Sequence, residues 1–470
     1  MIHRNEHITT SIVPSTVQYY TLPGEDVLDF KAICCFVATG FFLDDDTYYV
    51  NQKAFQPATS YFFDEQGNIT KKEPHFQWHY SPRSITFLQA VDEFSHLFEN
   101  VVRNSIENKK VILSISGGLD SRTLAAALVG RKDVYAYSYE FENGIMENSY
   151  GKSIAEVCGY PFSGYTIPEG YLWKSIEKTA QINGCYSDFT NPRQVAVLDM
   201  LKDKGDTFLL GHWGDVLFDD MRIDSTIHFD EQVASVKKKI LKKGGAELAQ
   251  NLWQAWGLTG NFMDFFDERI RMLLNDIPID DANARIRAFK SLHWATRWTS
   301  NNLTFFKSIH DIHVPYYDDE MCKFICTVPE NFLAGRRMQI EYLKQRAPKL
   351  AAIPWQKYDP CNLFTFKNYY TLPYFPYRAI RKIGNEIRKV VGEKKITSNW
   401  QLQFLGKENE ANLKYWLFEN PAFSDLIPRK LVDPFYNKFK MENSQYHHAI
   451  NMLLTISLFS RLKNQNIRVN

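Results

Sequence analysis

Residues 111–129 read VILSISGGLDSRTLAAALV, and this stretch limits the fold more than any other part of the chain. Its first five residues are short, apolar and rich in β-formers, while residues 124–129 are alanine-rich and suit a helix. Between them a polar, glycine-rich SGGLDS reads as a tight loop, so the whole is a strand, a turn and a helix start. At the carboxyl end of a parallel strand, successive backbone N–H groups and the next helix's N-terminus converge on one spot, which favours an anion such as a phosphate. Gly117 and Gly118 let the backbone approach closely, and Ser116 and Ser121 add hydroxyl donors. Asp120 would be repelled by phosphate unless a divalent cation lay between them, so a nucleotide with Mg²⁺ is the expected ligand. A bare Gly-Gly turn merely joins strand to helix; the full S-G-G-x-D-S with both flanks argues for more.

The rest of the chain frames this loop. VYAYSYEF reads as a strand, YGKSIAEVCG as a helix, FSGYTI as a strand and YLWKSIEKTAQI as a helix. That alternation predicts an α/β fold with a doubly wound parallel sheet. A further strand, TFLLG, runs into HWGDVLFDDM, where Asp215 stands at a helix start as a second carboxylate for the same metal, or simply as a cap. Upstream, Leu88, Val91, Phe94, Phe98 and Val101 mark a helix with Ser84 as N-cap. The first eighty residues read as a small β-rich lobe: KAICCFVATGFFL and DTYYVN look like strands, and TSYFFDEQGNITK like a hairpin turning near Gln66-Gly67-Asn68. Beyond residue 225 the pattern is mainly helical, broken by Pro354, Pro360, Pro373 and Pro376.

Composition narrows the function classes. With 470 residues, 44% of them hydrophobic, the chain can bury a large core in two or three lobes. Its 55 basic and 54 acidic residues nearly cancel, so no global field favours nucleic acid or an anionic membrane. The seven cysteines show no C-x-x-C spacing, and with no signal-peptide core or membrane-length run the sequence suits a cytoplasmic protein with reduced thiols. The adjacent His447 and His448, and Cys322 with Cys326, lack metal-site spacing and read as structural. Basic runs in VKKKILKKGG and YRAIRKIGNEIRKVVGEKK, the second with an apolar stripe at Ile380, Ile383, Ile387, Val390 and Val391, fit helices docked on their own protein or weakly on a membrane.

SGGLDS, followed about ninety residues later by GHWGDVLF, resembles the synthetase domain of the asparagine synthetase family, a branch of the PP-loop ATP pyrophosphatases. HVPYYDDEMCKFICTVPENF and RAPKLAAIPWQKYDP resemble that family's later segments, in the right order. The resemblance implies an adenine nucleotide α hydrolase-like sheet with a helical C-terminal part. It divides the chain into a truncated glutaminase-like β lobe (1–83), an ATP-binding synthetase domain (84–365) and a helical extension (366–470). Carried over by position, Ser116, Gly117, Gly118, Leu119, Asp120 and Ser121 would cradle the pyrophosphate of ATP. Leu210 and Gly211 would touch the nucleotide through backbone, with Ser114 near the adenosine; Asp120 and Asp215 would share Mg²⁺, and Lys357 would stabilise charge during adenylation and amide formation. The implied reaction is ATP-dependent, AMP-forming amide ligation. A carboxylate is adenylated, and ammonia or another amine then displaces AMP.

Departures from the pattern bear on the substrates. Met1 is followed by Ile2, not by the cysteine nucleophile of glutamine-using members, so ammonia would come from outside, for example from a separate glutaminase subunit; Cys34 and Cys35, in an apolar run, read as core thiols. His212 and Val216 stand where family members carry glutamates, so aspartate is not the expected acid. His212 would act as base toward the amine, or merely line the loop. Arg122 replaces a serine and would reach a phosphate or a substrate carboxylate, or face outward. Similar variants are associated with bacterial surface polysaccharide synthesis, which points by analogy to a sugar uronate. A β-lactam- or lasso-type cyclase and a noncatalytic ATP-binding scaffold are the alternatives.

Overall fold

The computed structural model describes residues 7–380 and 396–467. Its centre is a five-stranded parallel sheet ordered β10-β9-β6-β7-β8, from Asp311–His313, Thr207–Leu209, Val111–Ser114, Val134–Phe141 and Phe162–Ile167. Val111, Ile112 and Leu113 on β6 are wholly buried, as a central strand covered on both faces requires. The chain moves outward from β6 to β7 and β8, then returns to place β9 on the other side of β6. Strand order therefore reverses between β6 and β9, and ligands of open α/β sheets bind outside the carboxyl ends of the strands at such a reversal.

The helix before β6 (Phe87–Ser105) begins two residues later than the sequence suggests, because Thr86 and Gln89 form a reciprocal capping box that Ser84 does not. Val91, Phe94 and Phe98 face the core as expected, whereas Leu88 is 62% exposed. The helix after the SGGLDS loop spans Asp120–Ala127, and those after β7 and β8 span Asn148–Cys158 and Tyr171–Asn183.

The N-terminal region departs from the expected β reading. The hairpin is present, β4 (Thr59–Phe63) pairing antiparallel with β5 (Ile69–Pro74), with β1 (His7–Thr9) on the other edge of β4. KAICCFVATGFFL is not a strand, however: Phe30–Thr39 is an α-helix. Asp29 caps its N-terminus by accepting from the Ala32 N–H, and Gly40 closes it at φ 87°. Every residue from 32 to 39 is buried, so the run has no polar face to reveal a helical period. DTYYVN contributes only an isolated bridge, Leu28 with Tyr49. The helix packs on Gly245–Ala255 and on the long Asn443–Ile467 helix, where His448 Nε2 lies 2.9 Å from the Val37 carbonyl oxygen. One connected apolar core takes in residues from Ile12 to Phe459.

Between Pro354 and Pro376 the chain is mostly irregular, with short 3₁₀ turns at Gln356–Tyr358, Phe366–Asn368 and Leu372–Tyr374. Of the apolar stripe in the basic run, only Ile380 falls within the described residues, and it is exposed. Among the described residues no helix is long and apolar enough to cross a membrane.

Candidate active site

The β6 loop is organised by its own hydroxyls. The Ser116 N–H donates to Ser121 Oγ at 3.0 Å, the two serine hydroxyls lie 3.2 Å apart, and the Gly118 N–H donates to Ser116 Oγ at 3.3 Å. The Asp120–Ala127 helix has no side-chain N-cap, leaving its first N–H groups free for an outside acceptor. A Cβ on Gly117 would stand 2.6 Å from Gln356 Cβ, and one on Gly211 would stand 3.2 Å from the Ser121 nitrogen. Glycine at both positions lets three chain segments meet around the loop.

These segments border a cavity of ≈ 690 Å³, ample for a small-molecule site. Ser114, Ser116, Gly118, Asp120, Ser121, Leu210, Gly211, His212 and Asp215 all line it. Gly117 and Leu119 do not; Leu119 is 3% exposed in the core. Lys357 is also absent from the lining, its ammonium resting over the Trp355 and Tyr358 rings. The cavity is reached at that point by its neighbour Gln356, which donates to Glu147.

Asp120 and Asp215 face each other across the strand-order reversal. Burial raises the Asp120 carboxyl above its ordinary range, Arg336 opposes that rise, and the Asp215 charge adds to it. Arg336 forms an ion pair with Asp120, and Gln339 Nε2 donates to Asp120 Oδ1 at 3.1 Å and to the Tyr316 hydroxyl at 2.8 Å. Nothing in the local sequence marks Arg336 and Gln339, which reach the loop from more than two hundred residues away. Among the described residues no three His, Cys, Asp or Glu side chains cluster as a ready-made metal cage. Two carboxylates facing one cavity suit Mg²⁺, which commonly takes one or two protein carboxylates and completes its shell with phosphate and water oxygens.

The β9 turn is strained. Trp213 holds φ 75°, a left-handed conformation that a bulky residue rarely adopts, and its indole N–H donates to Ser291 Oγ at 3.3 Å. The next residue has to be glycine, because a Cβ on Gly214 would collide with the Asp120 carboxylate. His212 is neutral at physiological pH: burial pulls it to about 4, against the pull of Asp215, and its Nδ1 is buried without a partner among the described residues.

Arg122 takes neither of its expected roles. It is 0% exposed, and its guanidinium donates to the carbonyls of Pro354 (2.9 Å), Ile353 (3.0 Å), Leu350 (3.3 Å) and Gly117 (3.4 Å). It therefore reaches no substrate; it fastens residues 350–354 to the loop and so sets where Gln356 meets the cavity. Cys34 and Cys35 are buried, and burial pushes both thiols up, away from nucleophilic use.

The far wall comes from a ten-residue π-helix, Lys290–Thr299, a rare form that recurs at functional sites. Lys290, Trp294 and Trp298, at four-residue steps, present one face to the cavity beside Trp213 and Phe306. Sequence reasoning passed over this wall; K-x-x-x-W-x-x-x-W was its only local sign.

The family model described as asparagine synthase matches residues 93–346, from the helix before β6 to a point just short of the segment held by Arg122. No curated protein matches the chain closely enough to be called a relative.

Proposed function

The chain belongs to the asparagine synthase family, a family of ATP-dependent amide ligases, and from that premise we propose that it adenylates a carboxylate and passes the acyl group to ammonia or another amine. The observation that carries this reading is the meeting of Asp120 and Asp215 in one cavity, at the carboxyl ends of adjacent parallel strands, beside an uncapped helix N-terminus. In the first step a carboxylate oxygen bonds to the α-phosphorus of ATP as the bond to the bridging oxygen breaks, releasing pyrophosphate. In the second, the amine nitrogen bonds to the acyl carbon, the bond to AMP breaks and the amine loses a proton.

The loop N–H groups and the Ser116 and Ser121 hydroxyls would hold the pyrophosphate portion, and Asp120 and Asp215 would hold Mg²⁺, which supplies charge neutralisation to the leaving pyrophosphate. Arg336 and Gln339 fix the Asp120 carboxylate in place. His212, neutral and with Nδ1 unpartnered, would accept a hydrogen bond from the incoming amine; with its affinity lowered to about 4 it orients the amine and hands the proton on rather than retaining it.

For the acid we favour a sugar uronate. Trp213, Trp294 and Trp298 offer flat apolar faces suited to the body of a ring, a composition unlike a pocket for aspartate. The amine is ammonia or a small amino compound from outside, with a separate glutaminase as one source. Acid-dependent release of pyrophosphate from Mg-ATP, screened over uronates and other carboxylates with and without ammonium, tests the reading. Mg-ATP binding with no pyrophosphate release for any acid would overturn it in favour of a noncatalytic nucleotide-binding role.

A further inference from the structure

Lys290 is a cation the cavity does not satisfy. Its ammonium lies 5.6 Å from the centroid of the Trp213 ring and 5.3 Å from that of Trp294. Among the described residues it donates no hydrogen bond and forms no ion pair. Ring faces attract an ammonium but leave its three N–H donors unmatched, and Lys290 lines the cavity. A partly desolvated charge on a binding wall calls for an anion from the ligand.

Two anions are available to the reaction, the triphosphate and the acid. The triphosphate has its own donors on the β6 loop. Lys290 comes from the Lys290–Thr299 helix rather than the β6 loop, and the groups its ammonium faces are the Trp213 and Trp294 indoles. Indole walls suit a single carboxylate on an apolar or ring-shaped body better than a polyphosphate. The residue expected to supply positive charge, Lys357, lies outside the cavity lining.

We propose that Lys290 binds the carboxylate of the acid to be activated, with Trp213 and Trp294 flanking it and Trp298 against the body of the acid. This rests on the ligase reading for the identity of the reaction, but the binding of a carboxylate can be measured without turnover.

The test uses the intact wild-type protein. Limited reductive methylation is followed at Lys290 by peptide mass spectrometry, with acetate as probe, acetamide as its neutral counterpart at equal concentration, and ionic strength matched with chloride. Acetate should slow Lys290 methylation by the factor 1 + [acetate]/Kd, about threefold at twice Kd, with acetamide and Mg-ATP alone leaving the rate within about twofold. Absence of acetate protection would refute the proposal, and protection beyond about twofold by Mg-ATP alone would assign Lys290 to the phosphates instead. Once the screen identifies an acid, Lys290→Met should raise its KM about 10- to 100-fold, the loss of one charge-assisted contact, with the KM for ATP within about twofold. A rise confined to the ATP KM would overturn the assignment. Failure of the ligase reading would show separately, as absent pyrophosphate release with acetate protection intact.

Discussion

Arg122→Met should release the wall that Gln356 contributes to the cavity. The wild-type guanidinium is completely buried, has no carboxylate partner among the described residues and is solvated by four carbonyl oxygens, two of them at 3.0 Å or less. Hydrogen bonds from a charged donor contribute about 1.5–3 kcal/mol each, and a buried carbonyl left unpaired costs about 1–3 kcal/mol. The two short bonds together therefore set a loss of about 3–6 kcal/mol, offset in part because methionine fills the apolar stem's volume and removes a buried charge. The loss falls on residues 350–358, which the substitution unties from the loop, so hydrogen exchange followed by mass spectrometry is the assay. Amides of this segment should exchange about a hundredfold faster or more, while β6 and β7 amides stay protected. Arg122→Lys should fall between the two, since one ammonium cannot span four carbonyls fixed around a planar fork. Unchanged exchange over 350–358 in Arg122→Met would refute the idea that this arginine holds the segment.

Three further outcomes follow from the geometry. Gly214→Ala should reduce pyrophosphate release at least about tenfold with little change in unfolding midpoint, because the added methyl must displace the Asp120 carboxylate. Lys357→Met should leave pyrophosphate release within about threefold of wild type, as its ammonium meets only the Trp355 and Tyr358 rings. His293 and His448 are buried and held at about 4, below the ordinary 6.5. The unfolded chain therefore binds more protons between these values: the stability both histidines permit is complete above pH 6.5 and is lost as pH falls toward 4, on the order of 3 kcal/mol for each. A denaturant midpoint that does not fall between pH 7 and 5 would contradict that burial.

How much of this was legible in the sequence depended on how local each determinant is. The SGGLDS loop and its flanks are set within a dozen residues, so the strand at 111–114 and the helix from Asp120 could be read directly, as could β7 and β8. The Phe30–Thr39 helix was misread because apolar residues on every side hide the period; Asp29 before it and Gly40 after it were the only cues. Arg122 could be read only as ligand-facing or outward-facing because its carbonyl partners at Ile353 and Pro354 lie some 230 residues downstream. Lys290 escaped notice for the same reason: a lone lysine on a helix is ordinary until the fold sets Trp213 and Asp215 opposite it.

The helix at Phe30–Thr39 also has a bearing on synthesis. It is made more than two hundred residues before Gly245–Ala255 and more than four hundred before Asn443–Ile467, the two surfaces that cover it. Until both are made, a helix buried in the fold from Ala32 to Thr39 has nothing to dock against, and the nascent chain must keep it from meeting other chains. Holding chaperones should therefore engage the nascent chain at Phe30–Thr39 and let go only when Asn443–Ile467 has been made.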